Sequence, residues 1–436
     1  MEIGVAALGL GGTYIGTREP DPTDYGLWGI LPVGTYKSKP TIMETIVPNT
    51  VWTFDQKFGI LDVQVPLRMT VLRLRNGDLL VYNPIAATRE CLELIRKATG
   101  EDKPKVKHIV LGSVALEHKV YAGVFAQKFP DASVWLTPGQ YASPINLPNS
   151  FLGFPVGRTY TMPRSIQEAP KEWQDELDVD ILGPIISRDG AFAETVLLHK
   201  PTKTLLVTDT CVQVTDEVPA IYDTDPSPLL FHARDTITDI VEDTPATRSK
   251  GWRRVVLFGL YFQPSAIRIK DAGTALQERR PDINSDFAGV YPWDWVGDEA
   301  ASWKGLTGTN KPLVAPILQT LLLNRSPVEV LDFADRVSSW DIQRIIPAHL
   351  KNNLQLTGRE YRGSFGFLEA AGVPSGYPVP LEADLQTLRD AEVALIQSGA
   401  IVPSPPKVGG ESSRQDIVAQ TVYRCRSGVC APRSEP

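Results

Sequence analysis

The chain has 436 residues, a net charge of −7 and 42% hydrophobic residues, enough apolar material to bury one large core or two ordinary ones. It carries no basic run long enough to follow a phosphate backbone, which argues against nucleic acid as a partner. The apolar patch from Val5 to Leu10 is short, broken by glycine and preceded by Glu2, so it reads as neither a transmembrane segment nor a signal peptide. Gly9, Gly11 and Gly12 lack a preceding strand and read as a flexible terminus rather than a phosphate loop.

Residues 1–50 scatter Pro and Gly without a sustained period, as in EPDPTDYG and IVPN, and are expected to form an extension that wraps a neighbour. RMTVLRLRNGDLLVYNP alternates apolar and polar residues about Asn76-Gly77-Asp78, which predicts a hairpin ended by Asn83-Pro84. Thr88 is placed to cap a helix through RECLELIRKATG, with Gly100 as its stop. A strand in VKHIVLGS, a helix after Glu117 and a strand in ASVWLTPG come next. This order predicts a mixed sheet with helices over at least one face.

TVLLHKPTKTLLVTDT reads as a second hairpin turning near Pro201-Thr202. Asp209 then lies opposite Glu194 or Thr195, while His199 sits by the turn, on the order of 15 Å away at about 3.3 Å per residue. Between Thr210 and Asn324 the pattern is less regular and holds Trp252, Trp293, Trp295 and Trp303. Large aromatics there are expected to fill or cover a core rather than line a cleft. SPVEVLDFADRVSSW has helical amphipathicity and leads into a strand in RIIPAH. Beyond Gly372, Pro-rich segments bracket one helical stretch, LEADLQTLRDAEVALIQSG. The expected organisation is an extension (1–50), a domain (51–375) and a Pro/Gly-rich tail with one docking helix (376–436).

The chain has 5 histidines, so any metal site draws on few candidates. Glu117 with His118, Asp209 and His349 each stand where a predicted strand ends, the positions from which a sheet scaffold presents ligands. His108 lies inside its strand, His199 by a turn and His232 in an irregular stretch, and all three are expected to be structural. Cys91 and Cys211 sit in apolar segments and read as buried thiols, although Cys211, two residues past Asp209, is placed to share its face. Cys425 and Cys430 are spaced for a small disulfide or a redox pair and make a poor zinc motif without further ligands.

In these landmarks the chain resembles the metallo-β-lactamase superfamily, whose αββα sandwich holds metals at the shared edge of two sheets. More narrowly, WTFDQ (52–56), RMTVLRL (68–74), HKPTKTLLVTD (199–209) and IIPAH (345–349) resemble a branch from photosynthetic organisms known as a domain of unknown function. Against the superfamily's His-x-His-x-Asp-His motif this chain reads Ser113-Val114-Ala115-Leu116-Glu117-His118. The two leading histidines are missing, and the stretch expected to hold a third, DGAFAET, has none. The resemblance therefore implies an α/β sandwich that has lost its first metal site. It retains the second as Glu117, His118, Asp209 and His349, with Glu194 as a further oxygen or an orienting group.

Such a donor set suits one divalent ion, zinc, iron or manganese, and ligand type does not choose among them. Four readings stay open from the residues alone. One is a mononuclear metallohydrolase with Glu194 or a nearby carboxylate as proton acceptor. Another is a non-catalytic scaffold or assembly protein that binds a protein partner through its extension, Trp-rich region or tail. A third is a buried hydrogen-bonded cluster without metal, and a fourth is redox chemistry at Cys425 and Cys430 or at an iron. The resemblance implies a chloroplast location.

Overall fold

The computed structural model describes residues 21–23, 38–60, 62–140, 148–188, 190–283, 285, 288–297, 299–410 and 412–417. The glycine cluster near the N-terminus and the Cys425/Cys430 pair lie outside the described residues.

Seven strands form the larger sheet in chain order: β1 (Ile42–Val47), β2 (Val51–Ile60), β3 (Val63–Arg73), β4 (Leu79–Tyr82), β5 (Val106–Leu111), β6 (Ser133–Leu136) and β7 (Thr159–Thr161). The first four run antiparallel to their neighbours, and β4 through β7 pair in parallel. The sheet is therefore mixed, as expected. The hairpin between β3 and β4 turns at Gly77, whose φ of 87° suits a residue without a Cβ, while the Asn76 side chain accepts a bond from the Asp78 amide (3.0 Å).

The smaller sheet takes β8 (Leu177–Ser187), β9 (Gly190–His199), β10 (Thr204–Leu206) and β13 (Arg344–Ile346), in the order β13-β10-β9-β8. The predicted second hairpin is β9–β10. The parallel pairing of β10 with β13 matches Leu205 to Ile345, which brings the LLVTDT and IIPAH segments side by side. β11 (Ile267–Ile269) and β12 (Trp293–Trp295) make a separate two-stranded ribbon.

Side-chain alternation assigns the layers. Leu72, Leu80, Tyr82 and Val110 of the larger sheet share one core with Ile181, Leu197, Leu206 and Ile346 of the smaller one. Their sequence neighbours Val71, Leu79, Val81 and Ile109 face the opposite way and pack with residues of α1 (Arg89–Thr99) and α2 (Leu116–Lys128). Leu198, Leu205 and Ile345 point outward from the smaller sheet into a third core with the helices Pro245–Tyr261 and Pro327–Ser338. A period of two in each strand thus produces helix, sheet, sheet, helix, the αββα sandwich. Thr88 caps α1 by accepting from the Cys91 amide, and Gly100 closes it in the left-handed region.

Two elements depart from expectation. The region after Thr210 holds a 17-residue helix, Pro245–Tyr261; its run from Arg254 to Phe258 is buried without interruption, and a helix enclosed on most sides shows no 3.6-residue stripe. β8 has no counterpart among the predicted elements because Pro184 interrupts it. The ladder with β9 shifts register between Leu182 and Ile185, and such a bulge is where a strand tolerates proline. Trp252, Trp293, Trp295 and Trp303 are all buried in the core outside the smaller sheet. Within residues 1–50, β1 is the edge strand of the larger sheet, and Pro22 accepts a backbone bond from Glu90 of α1 (2.9 Å). Among the described residues no helix is long and apolar enough to cross a membrane.

Candidate metal centre

The loops that come after β5, β10 and β13 meet at one edge of the sandwich. They come from both sheets rather than from one. Three sets of buried bonds hold them in register.

The first set joins β4 to β9 and β10. The Tyr82 hydroxyl donates to the Thr195 carbonyl (2.7 Å) and lies 2.8 Å from Thr208 Oγ1. Asn83 donates to Thr208 Oγ1 (3.0 Å) and accepts from the Gly112 amide (2.7 Å). Gly112 has no substitute here, because a Cβ would lie 2.3 Å from Tyr82 Oη.

The second set is Glu194, fully buried opposite the loop after β10. Its two oxygens accept from the amides of Thr208 (2.8 Å), Asp209 (2.8 Å) and Thr210 (2.9 Å) and from the Thr210 hydroxyl (2.7 Å). Burial and the neighbouring Asp209 charge push the Glu194 carboxyl up to about 7.

The third set is Arg68 of β3, buried beneath the loop after β13. It donates to the carbonyls of Pro347 (2.8 Å) and Leu350 (3.1 Å) and to Asp55 (2.7 Å), while its amide donates to the Ala348 carbonyl (2.8 Å). These bonds hold Leu350, the residue after His349, at φ 57°, a left-handed conformation that costs a non-glycine residue about 1–2 kcal/mol.

Within this frame Glu117, His118, Asp209 and His349 each offer a donor atom, and these atoms all lie within 4.8 Å of one another. Glu117 and His118 occupy the first turn of α2, where the helix dipole favours a carboxylate. Nε2 of His118 is 3.2 Å from Nε2 of His349. Asp209 Oδ1 lies 3.4 Å from the His349 nitrogen and 3.9 Å from that of His118. Two donors each about 2.1 Å from a tetrahedral ion lie about 3.4 Å apart, so the spacing suits one ion. His349 Nδ1 is 3.0 Å from the Pro66 carbonyl and donates to it, so Nε2 is the ring nitrogen that faces the cluster. The His118 side chain is fully buried and its Nδ1 has no partner among the described residues, while those of Asp209 and His349 are 14% exposed. Glu117, Asp209 and His349 are thus part-exposed, and His118 is the buried member of the cluster.

The charges agree. Burial by itself would raise the Asp209 carboxyl, but the hydrogen bonds and charges of His118 and His349 hold it well below the usual carboxylate range. Burial opposes a charged His349, yet bonding to Asp209 and the charges of Asp209 and Glu117 raise its pKa. Two carboxylates beside two imidazoles draw a positive charge into the cluster.

The remaining candidates sit elsewhere. Glu194 is placed to orient the Asp209 loop, and its oxygens face four donors rather than the cluster. Cys211 is buried in the apolar core on the far side of the smaller sheet, which pushes its thiol pKa up and keeps it out of the centre. His108 pairs with Glu172 (3.2 Å), His199 Nδ1 meets Thr202 Oγ1 (2.7 Å), and His232 stacks on Trp293 at 5.7 Å. One residue missed in the sequence as a participant is Ser113, whose hydroxyl donates to Asp209 Oδ2 (3.0 Å). Its place as the first residue of the SVALEH motif was the available signal.

The family profile described as a domain of unknown function, DUF4336, matches residues 48–367. The chain belongs to the DUF4336 family. No curated protein sequence matches it. Among solved structures, this DUF4336 chain is similar to the metal-soaked flavodiiron core of Flv1 from Synechocystis, with 10% identity and a TM-score of 0.39 over 75% of this chain and 60% of that one. It is similar to a flavoprotein from Thermotoga maritima, at 8% identity and a TM-score of 0.40 over 76% and 61%. A metallo-β-lactamase from Pontibacter korlensis shares 14% identity and a TM-score of 0.30 over 40% and 74%. The DUF4336 chain thus spans about three fifths of the two flavoproteins.

Proposed function

We propose that this DUF4336 protein binds a single divalent transition-metal ion, with His118, Asp209, His349 and Glu117 as ligands. The observation that carries the reading is the convergence of four donors, from the first turn of α2 and from the loops after β10 and β13, at separations suited to one ion. The sequence places Ser113 and Ala115 where the superfamily motif has histidines, which leaves one ligand set rather than two. Zinc, iron and manganese all accept two imidazoles with carboxylates. A bound ion would supply Lewis acidity or, if iron, a redox centre.

The chain's own residues narrow the chemistry open to such a centre. With one ion there is no second cation to clamp a leaving oxygen. Both Glu194 oxygens are engaged by four donors, which weighs against its service as a proton acceptor in hydrolysis. We therefore favour a metal-holding role over a hydrolytic one.

A second reading draws on the 3.2 Å separation between the imidazoles, which also suits a direct hydrogen bond in a metal-free cluster. Elemental analysis of the freshly purified full chain separates the two. About one equivalent of one metal, absent from His118→Ala and His349→Ala, is the expected result. A wild-type protein that stays metal-free after reconstitution with zinc, iron and manganese overturns the proposal in favour of the hydrogen-bonded cluster.

A further inference from the structure

We infer that Ser113 is the positioning residue that makes Asp209 a one-oxygen ligand. The inference rests on the proposed single-ion centre and concerns the part of the motif that was not assigned to metal.

Ser113 is fully buried at the end of β5. Its backbone is pinned on both sides. It forms an antiparallel bridge with Glu194, Gly112 accepts from the Thr195 amide (2.8 Å) and Val114 donates to the Ala193 carbonyl (3.3 Å). Gln140 donates to the Ser113 carbonyl (3.2 Å). The side chain has little freedom as a result.

The hydroxyl has one direction open to it. The Ala115 amide donates to Ser113 Oγ (3.1 Å), so the oxygen is already an acceptor and its proton is left for Asp209 Oδ2 (3.0 Å). Asp209 Oδ1 is the oxygen that lies 3.4 Å from His349 and 3.9 Å from His118. One carboxylate oxygen thus faces the imidazole pair while the other is held by a hydroxyl. Below it, the Asp209 amide is gripped by Glu194 (2.8 Å), so the carboxylate is fixed at both ends. A free carboxylate at the same place would be able to turn and offer both oxygens to an ion.

Hydrogen bonds of this kind to a ligand set its orientation, and losing one lowers metal affinity about 10- to 100-fold. The test loads the full chain with Co²⁺ and reads its dissociation constant by equilibrium dialysis and its visible absorption spectrum. Ser113→Ala is expected to weaken cobalt binding by about tenfold or more and to change the spectrum, because Asp209 gains its second oxygen. Ser113→Thr, which keeps a hydroxyl, is expected to restore both. Should the alanine variant fail to fold, Ser113→Val set against Ser113→Thr compares near-isosteric side chains with and without the donor. Wild type binding one cobalt while the variants lacking the hydroxyl match it in affinity and spectrum overturns the role of Ser113 and leaves the single-ion reading standing. Wild type binding no cobalt overturns both.

Discussion

At the scale of single residues, the environment of each imidazole separates the structural histidines from those of the centre. His232 is sealed against Trp293 and Phe258, and burial together with the Arg254 charge pushes its pKa down to about 3. Burial, with a contribution from the Arg75 charge, takes His199 down to about 4. Both rings titrate near 6.5 once unfolded, so below that pH the unfolded chain binds protons that the folded chain refuses. Their contribution is present above about pH 6.5 and is lost progressively as pH falls toward about 4 for His199 and about 3 for His232. Between pH 6.5 and 5 the loss is on the order of 1–2 kcal/mol for each. Urea unfolding should show this loss, and His232→Phe, which keeps a ring against Trp293, should remove its share. An unchanged pH slope in that variant would rule His232 out as a source.

At the scale of elements, the candidate centre depends on how the ends of β5, β10 and β13 are tied across the two sheets. Arg68 carries the tie to the loop after β13 through two carbonyls and Asp55. Removing one member of a buried charged network leaves the others unpaired, at a cost of about 3–5 kcal/mol. Arg68→Ala is expected to lose on the order of 3 kcal/mol in chemical denaturation and to weaken metal binding with it. Arg68→Lys should recover only part, since one ammonium does not reproduce the planar fork that spans three acceptors. Equal stability of wild type and Arg68→Ala would show that the loop is held by its own backbone.

At the scale of the whole molecule, the described part of the tail, residues 376–410 and 412–417, is packed into the body. Asp384 is fully buried and accepts from the Ser265 amide (2.8 Å) and hydroxyl (2.7 Å) and from the Ser302 hydroxyl (3.0 Å). Arg325 donates to Glu392 (2.6 Å) on the tail helix Gln386–Gln397, while Val408 and Ile417 join the core outside the smaller sheet. Asp384→Ala strands three donors and should cost about 2–3 kcal/mol. Calorimetry is expected to show one transition at a lower temperature. A separate early transition would mean that the tail unfolds as its own unit.

The helix of Thr88 to Gly100, both hairpins and the strand-helix-strand run were legible because caps, turns and side-chain period are local. The sequence by itself also determined that Asp209 falls near Glu194 and that His199 sits by the turn, since strand geometry converts residue count into distance. The helix Pro245–Tyr261 and the Pro184-broken β8 were not legible, because complete burial erases a stripe and proline argues against a strand. Only the tertiary structure decided that donor atoms of Glu117, His118, Asp209 and His349 meet within 4.8 Å, that Glu194 turns its oxygens to amides, and that Cys211 faces the other way. Which Asp209 oxygen faces the histidines was likewise decided there, through the Ser113 hydroxyl. The physical reason is that the contacts of the cluster join residues about 90 to 230 positions apart, and that even Glu194, 14 to 16 positions from the amides it accepts, takes its side-chain direction from packing between layers and not from anything the neighbouring residues encode.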